Sequence, residues 1–516
     1  MAIHTFAAIY IGSYEVSLKI FELSAKKKMR SVDYVRRRIA LGKDAYLKGS
    51  IGYELVEALC DTLSEFARIM KEYRVEDYEA YAASVLRDAG NELFILDQIR
   101  LRTGLFVRVL SNSEHRFISY KSVAMREEFE RMVGRSAAVI DVGGAGLQIT
   151  IFSRGKVRTT QHLGLGTMRM REQLAGKSAS IAQYARQIEE MVAKELQVFR
   201  SMYMEEKSVE YLIVIGDYIT DLVHHLEKNH LEKNHPENSV DVKMFVRYIE
   251  KLGKKGLDEI SDEWEMSAES DALIIPYMMI CKCMAIGLGA SVLWAPGVIV
   301  SDGIACDYAE RNKIYKVTHD FDADIISAAK SLSERYMSYS THIDALAGMS
   351  DLIFNAMKKE HGLGRRERLL LKTAAILHDC GKYISFANGP QCAYEIIMAS
   401  EIIGLTHSER EIIASIVLYN THPLPHYEEV ADRLDHDSYL NVAKLSAILR
   451  VANAMDRSHR QKFKNVRAQI KGRELVITIE TEEDIALEKT LFDSKAAYFE
   501  RIFSVKPVIR EKRVYN

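Results

Sequence analysis

One stretch of the chain decides the fold: Ala137-Ala138-Val139-Ile140-Asp141-Val142-Gly143-Gly144-Ala145-Gly146-Leu147-Gln148. Its apolar first part is typical of a buried strand, and a glycine-rich turn follows directly. After the turn, Leu147, Ile149 and Ile151 alternate with polar neighbours, which is the period of a half-buried strand. The stretch therefore predicts a β-hairpin whose turn exposes backbone amides that few side chains obstruct.

A second hairpin of the same design lies near the start of the chain. Residues 6–11 form a short apolar run, a turn follows at Gly12 and Ser13, and alternation resumes at Val16. When the two hairpins are superimposed, Gly12 falls on Gly143 and Tyr10 falls on Asp141. Two copies of one device predict a duplicated lobe, the alternative being two unrelated hairpins.

The order of predicted elements indicates the domain organisation. Strands and amphipathic helices alternate through the first ~300 residues, which predicts an α/β class. From residue 320 the pattern is helical up to residue 460, and two strands at 466–470 and 475–479 are followed by one more helix. We predict four domains, which are lobe I (1–125), lobe II (126–308), an all-α domain (309–462) and a small α/β segment (463–516).

Composition excludes several classes of partner. The 516 residues carry a net charge of −2, so no basic excess indicates nucleic acid. No apolar run approaches the ~20 residues that a membrane span needs. The six cysteines are scattered without a CxxC pair and the first residues lack the pattern of a signal peptide, so we predict a cytoplasmic protein.

The glycine-rich turn has the chemistry of a phosphate site. Backbone amides at Gly143, Gly144, Ala145 and Gly146 can face phosphoryl oxygens, and Asp141 can hold a divalent cation or orient water. A tight hairpin without a ligand is the alternative. At the corresponding place in the first hairpin stands Tyr10, which neither ligates magnesium well nor acts as a base near neutral pH.

Six landmarks resemble the exopolyphosphatase / guanosine pentaphosphate phosphohydrolase (Ppx/GppA) family in order and spacing. They are Ile11-Gly12-Ser13, Ser84 to Ala89 with Asn91, Val109 to Glu114, Asp141 to Gly146, Leu163 to Thr167, and Ser301-Asp302-Gly303. The resemblance implies two actin-like (ribonuclease H-like) lobes that flank a cleft. It further implies magnesium-dependent hydrolysis of terminal phosphoanhydride bonds in polyphosphate or guanosine pentaphosphate, and a homodimer.

The resemblance also assigns roles to residues of this sequence. Glu114, His115 and Asp141 are the expected catalytic residues, and Asp141 is the expected magnesium ligand. Phosphate contacts are expected from the two turns and Arg87, namely Gly12, Ser13, Arg87, Gly143, Gly144, Ala145 and Gly146. An ordinary surface ion pair is the alternative for Arg87.

Three positions differ from the family pattern in the same way, because each lacks a carboxylate. Tyr10, His115 and Gln148 stand where the family has carboxylates, so fewer groups remain to hold metal or to activate water. Two functions stay open for the cleft. One is slow hydrolysis with His115 or Glu114 as base, and the other is a regulatory protein that binds a phosphorylated ligand without turnover.

The helical half resembles HD-type phosphohydrolase domains. A helical run leads into His378-Asp379, His342 lies upstream, and residues 449–459 resemble the last HD signature. The resemblance implies a divalent metal at His342, His378 and Asp379, although the expected final aspartate aligns with Asn453. Metal-dependent phosphoester hydrolysis here is a third possible function, and a hydrogen-bonded pair that fixes helix packing is the alternative. His407, His422, His426 and His459 are interpreted as surface histidines.

Overall fold

The computed structural model describes residues 3–26, 28–174, 181–204, 208–216, 219–220, 222–223, 226, 237–252 and 268–512. The chain separates into two compact units, residues 1–320 and residues 321–516. The first unit contains two β-sheets with helices packed on them, and the second is mainly helical with one small sheet.

The first sheet has five strands in the order β3-β2-β1-β4-β5. These strands are β1 (His4–Ile11), β2 (Glu15–Ser24), β3 (Lys28–Arg38), β4 (Asp77–Ala82) and β5 (Val107–Val109). The helices of this half are α1 (Leu41–Lys48), α2 (Tyr53–Glu72), α3 (Ser84–Arg87), α4 (Glu92–Thr103), α5 (Asn112–Ala124) and α6 (Glu127–Val133). Helix α2 buries the apolar stripe that its spacing predicts, including Leu59, Leu63 and Phe66, against this sheet.

The second sheet has six strands in the order β10-β11-β9-β6-β7-β8. These are β6 (Ser136–Val142), β7 (Leu147–Ser153), β8 (Lys156–Leu163), β9 (Tyr211–Ile215), β10 (Ser239–Asp241) and β11 (Val292–Trp294). The helices are α7 (Thr167–Leu174), α8 (Ile181–Tyr203), α9 (Val242–Leu252), α10 (Ala268–Gly287) and α11 (Val300–Arg311). A buried apolar cluster joins the strands to helices α8 to α10.

The two hairpins are paired in the same register, as the predicted duplication requires. Tyr10 faces Ser17 across β1 and β2, and Asp141 faces Gln148 across β6 and β7. Both residues of the second pair lie the same number of positions further along the chain than those of the first pair. The amide of the glycine that opens each turn donates to the carbonyl closing it, with N···O distances of 2.8 and 2.9 Å. The first strand of each hairpin also pairs in parallel with a third strand. Strand β1 pairs with β4, and strand β6 pairs with β9. The two actin-like lobes are therefore present.

The second unit begins with seven helices, α12 to α18. Their bounds are Phe321–Arg335, Ser340–Ala356, Lys358–His361, Arg365–Leu377, Gly389–Ala399, His407–Tyr419 and His436–Met455. Short 3₁₀ turns lie at Cys380–Tyr383 and Tyr427–Glu429. A sheet of β12 (Lys464–Lys471), β13 (Glu474–Glu480) and β14 (Lys506–Glu511), with helix α19 (Ala486–Phe503), completes the unit. The four domain boundaries stay predictions.

Within the described residues no helix is long and apolar enough to cross a membrane.

Candidate functional site

The two hairpin turns of the first unit lie next to each other. A Cβ atom built on Gly144 would lie 3.1 Å from Cβ of Ser13, so the turns are in van der Waals contact. Beside them is a cleft of about 270 Å³, lined by both turns and by Tyr10, Arg87 and His115. The two turns that the sequence predicts as phosphate loops therefore line the same cleft, as the predicted duplication requires.

The second turn is held from behind by Gly166. A Cβ atom at Gly166 would lie 2.2 Å from the carbonyl carbon of Ala145 and 2.3 Å from the carbonyl oxygen of Gly144, so only glycine permits this approach. The first amides of helix α7 donate to the carbonyls of Gly143 and Gly144. Gly144 and Ala145 line the cleft, and their amides have no acceptor among the described residues.

Two oxygen atoms at the base of the cleft are buried without a hydrogen-bond partner in the described part of the chain. They are Oδ2 of Asp141 and Oε1 of Gln148, on residues that face each other across β6 and β7. Carboxylate and amide oxygens are ligands that hard divalent cations prefer. Orphaned buried oxygens are costly, so this pair fits a site that a magnesium ion would complete.

Tyr10 and His115 form a hydrogen-bonded pair in the cleft, with 2.7 Å between the phenolic oxygen and Nε2 of the imidazole. Burial, reinforced by the charge of Asp141, raises the pKa of Tyr10. Burial is also the largest cause that lowers the pKa of His115, with Arg116 and Arg87 acting in the same direction and Asp141 opposing them. At neutral pH the pair therefore consists of a protonated phenol and a neutral imidazole.

The structure places Glu114 in the first turn of helix α5. Its carboxylate accepts the amide of Ser111 at 2.9 Å, while the Ser111 hydroxyl accepts the amide of Glu114 at 3.2 Å. This capping box begins helix α5 and is completed by Arg108 at 3.4 Å. Glu114 does not line the cleft. Its task is to fix the first turn of the helix that carries His115.

Arg87 lines the cleft in a fixed orientation. One terminal nitrogen donates to the carbonyl of Leu110 and the other donates to the side-chain oxygen of Asn112, each at 2.8 Å. Asp88 lies 3.6 Å from Nε and gives only a weak, half-exposed ion pair. A guanidinium carries five N–H donors, so donors remain for a phosphoryl group.

Three polar residues line the cleft without a role predicted from the sequence, although one of them, Ser301, belongs to a family landmark. Arg36 lies on the edge strand β3, directly opposite Ser17, and His162 lies opposite Gln148 on β8. Ser301 lies in the first turn of helix α11, and its buried hydroxyl has no partner among the described residues. Arg36 and His162 can be recognised from the hairpin residues that they face. This requires the register of the strands, which the sequence does not give.

In the second unit the predicted metal residues His342, His378 and Asp379 converge. Nε2 of His342 lies 3.2 Å from Nε2 of His378, and Nε2 of His378 lies 3.2 Å from Oδ1 of Asp379. The carboxylate that contacts His342 is Asp456, at 2.7 Å, and not the residue aligned with the final HD aspartate, Asn453. His459 is no ordinary surface histidine, because its ring stacks on that of His342 at 3.7 Å.

Both units match sequence models of one family. Residues 20–283 match the Ppx/GppA phosphatase family, and residues 326–497 match Ppx/GppA phosphatase, domain III. The chain belongs to the Ppx/GppA phosphatase family, whose enzymes generally depend on divalent metal ions. A curated relative, the guanosine-5'-triphosphate,3'-diphosphate pyrophosphatase of Aeromonas hydrophila subsp. hydrophila, is 21% identical over 455 residues, 87% of this chain and 86% of the relative.

Solved structures share the fold. The Ppx/GppA family member of Aquifex aeolicus is similar with a TM-score of 0.50 and 20% identity, covering 62% of this chain and 100% of that one. An exopolyphosphatase from Cytophaga hutchinsonii is similar with a TM-score of 0.50 and 17% identity, covering 61% of this chain and 100% of that one. At these identities the likeness supports the fold alone.

Proposed function

We propose that this protein is a slow phosphohydrolase that removes terminal phosphoryl groups from polyphosphate or guanosine pentaphosphate. The single observation that carries the proposal is the contact between the two turns beside one cleft. Amides of both turns then face the same phosphoryl group, and Arg87 stands beside it with donors to spare. The names of the relatives support the choice of substrates.

Asp141 and Gln148 would hold a magnesium ion, because their unpartnered buried oxygens suit a hard cation. When bound, such an ion neutralises charge on the phosphoryl oxygens. Only one of the two ligands is anionic, so we expect weaker retention of magnesium than at a site with several carboxylates. Arg87 supplies positive charge that does not depend on the cation.

His115 is the base in this proposal, and Tyr10 is the group through which it acts. In the tautomer that carries its proton on Nδ1, the Tyr10 hydroxyl donates to Nε2. A water that attacks phosphorus would then give its proton to the phenolic oxygen as the phenolic proton passes to His115 and the bond from phosphorus to the leaving phosphate breaks. The raised pKa of Tyr10 disfavours a free tyrosinate, so the two transfers must be concerted. This requirement is the physical reason for expecting slow turnover.

Phosphate release from polyphosphate and from guanosine pentaphosphate, with magnesium, tests the proposal. We expect His115→Ala to lower kcat by about 10²–10⁴-fold, the usual contribution of a general base. Glu114→Gln is the matched control, because glutamine preserves a capping box and the carboxylate lies outside the cleft. Wild-type release no faster than that of His115→Ala would refute hydrolysis at this site.

A binding function without turnover is the second candidate. It is favoured by the Tyr10 hydroxyl, which occupies the nitrogen that a catalytic base would need free. Calorimetry with the same two ligands separates the candidates. Micromolar binding together with no release above His115→Ala would establish the binding protein, whereas the absence of both would reject the cleft as a phosphate site.

A further inference from the structure

Four cationic side chains of the second unit form a basic cluster where helices α18 and α19 pack on each other. Arg450 lies on α18 and Arg457 directly follows that helix, while Lys495 and Arg501 lie on α19. Within the described part of the chain, none of the four forms an ion pair with a carboxylate. Like charges that share a partly buried space repel one another, so the basic cluster is unfavourable by itself.

Arg450 is the buried member of the basic cluster, with 8% of its surface exposed. Its Nε donates to the carbonyl oxygen of Tyr419 at 2.6 Å, and its Nη2 donates to that of His422. These two bonds fix the guanidinium at the end of helix α17, while Nη1 has no acceptor among the described residues. Buried charges in proteins are usually paired with an opposite charge, and two neutral carbonyls do not supply one.

The ring of Tyr498 holds two of the guanidinium groups close together. Its centroid lies 4.0 Å from Cζ of Arg450 and 5.1 Å from Cζ of Arg501. The ring is buried, and its hydroxyl lies 3.4 Å from Oγ of Ser446 on α18, so its position between the two helices is fixed. Contact with a ring uses none of the N–H donors of a guanidinium, and those donors stay available to a ligand.

Lys495 brings the charge of α19 close to the two arginines of the α18 side. Burial is the largest cause that lowers the pKa of Lys495, and the charges of Arg450 and Arg457 act in the same direction. No carboxylate of the described residues offsets this effect. The three cations are therefore near enough to destabilise one another, and a bound anion would turn that repulsion into attraction.

We propose that the second unit binds one phosphate dianion at the basic cluster, through Arg450, Lys495 and Arg501, with Arg457 beside them. The planar fork of a guanidinium matches phosphoryl oxygens, and an ammonium adds a compact point charge. A phosphate group carries close to two negative charges at neutral pH, which suits several cations better than a single carboxylate does. The ligand is orthophosphate or the phosphoryl group of a small monoester. This site shares no residue with the cleft of the first unit and does not depend on the proposed hydrolysis.

The test is equilibrium dialysis of the full-length chain against radiolabelled orthophosphate, with chloride added to keep the ionic strength constant. Every protein carries Arg87→Met, which weakens phosphate binding in the first unit to the same extent throughout. We expect Lys495→Met and Arg501→Met each to raise the dissociation constant by about tenfold to a hundredfold. Lys489→Met is the matched control, because Lys489 lies on the same helix and is paired with Glu511. Equal dissociation constants for Lys495→Met and Lys489→Met would overturn the proposal.

Urea denaturation separates a ligand site from a purely structural cluster. In chloride alone, Lys495→Met should unfold at the same urea concentration as its parent or at a higher one, because a repulsive charge is gone. Orthophosphate should raise the urea midpoint of the parent and raise that of Lys495→Met less. A loss of stability in Lys495→Met that is the same with and without orthophosphate would show a structural role and contradict the proposal.

Competition dialysis identifies the source of the phosphoryl group. Glycerol 3-phosphate that displaces the label at a lower concentration than unlabelled orthophosphate would identify a phosphate monoester as the ligand, and the reverse order would identify orthophosphate. Displacement by the same concentration of chloride would show nonspecific screening and reject a phosphate site.

Discussion

The phenolic oxygen of Tyr10 lies 2.7 Å from Nε2 of His115, and the two residues belong to different elements, strand β1 and helix α5. Both occupy positions at which the family pattern has a carboxylate. Two carboxylates at this distance would repel and would need a cation between them. A phenol and a neutral imidazole instead satisfy each other, so the pair closes its own hydrogen bond whether or not a metal ion is present.

Tyr10→Phe tests that relationship directly. Burial, the largest cause of the lowered His115 pKa, stays in this variant. A phenol hydroxyl that donates to Nε2 adds to it by stabilising the neutral ring, so removal of the hydroxyl should raise the pKa of His115. A base with a lowered pKa stays unprotonated in more acidic solution, so the acidic limb of the wild-type rate profile should lie below pH 6.5. In Tyr10→Phe this limb should move to higher pH, and kcat should fall because the relay is lost.

Titration of the His115 ring by NMR measures this pKa without requiring turnover. The charged groups that face His115 are Asp141, Arg116 and Arg87, and the substitution changes none of them. An unchanged His115 pKa in Tyr10→Phe would show that the hydrogen bond does not set the protonation state of the ring.

Arg87→Met should weaken binding of polyphosphate by roughly tenfold to a hundredfold, because a hydrogen bond to a charged group contributes about 1.5–3 kcal/mol. Arg87→Lys keeps the charge but loses the planar fork, so its affinity should be intermediate. Arg100→Met, at an exposed ion pair on helix α4, serves as the control. Calorimetry provides the comparison, and equal affinity of Arg87→Met and Arg100→Met would remove Arg87 from the site.

Gly166→Ala should disable the second turn. The three atoms nearest to the added Cβ would be backbone atoms of residues 144–146, at 2.2 to 2.4 Å, so the turn itself must move. A displacement near 1 Å is enough to lower kcat/KM by about 100-fold. Gly348→Ala is the control, because a Cβ there has nothing within 4 Å and helix α13 gains about 0.5–1 kcal/mol from alanine. Wild-type kcat/KM in Gly166→Ala would contradict this account.

Lys121→Met should lower the free energy of unfolding by about 2 kcal/mol. Nζ of this buried lysine lies 2.8 Å from Asp307 and 2.6 Å from Glu310, and these bonds join helix α5, which carries His115, to helix α11. Arg311 remains beside Asp307 in the variant and limits the loss. Urea denaturation gives the difference, and Arg30→Met, which breaks an exposed pair, should cost under about 1 kcal/mol.

The ion pair of Lys121 and Asp307 also predicts how the free energy of unfolding depends on pH. Lys121 and Arg311 together hold the pKa of Asp307 below its ordinary 3.8, against the opposing effect of burial. The stability that Asp307 contributes is therefore present above pH 3.8 and is lost as the pH falls through the lower folded value. The difference between wild type and Lys121→Met should shrink in that acidic range. A difference that stays constant to the lowest pH tested would mean that Asp307 is not the responsible partner.

The sequence alone predicted the two hairpins, the turns at Gly12 and Gly143, and the order of helices and strands. Those features depend on interactions between residues a few positions apart, where apolar period and glycine content are direct signals. It also indicated that His342, His378 and Asp379 act together, through a resemblance of motifs rather than through any derived distance.

Only the tertiary structure decided which neighbouring residue does what. Glu114 and His115 are adjacent in sequence, yet the first caps helix α5 and the second faces the cleft, because the direction of each side chain is fixed by how the helix packs. In the same way Asp456, and not Asn453, reaches His342, and a left-handed backbone at His459 brings its ring into the group. Contacts between residues more than a hundred positions apart leave no periodic signal in one sequence, so packing alone reveals them.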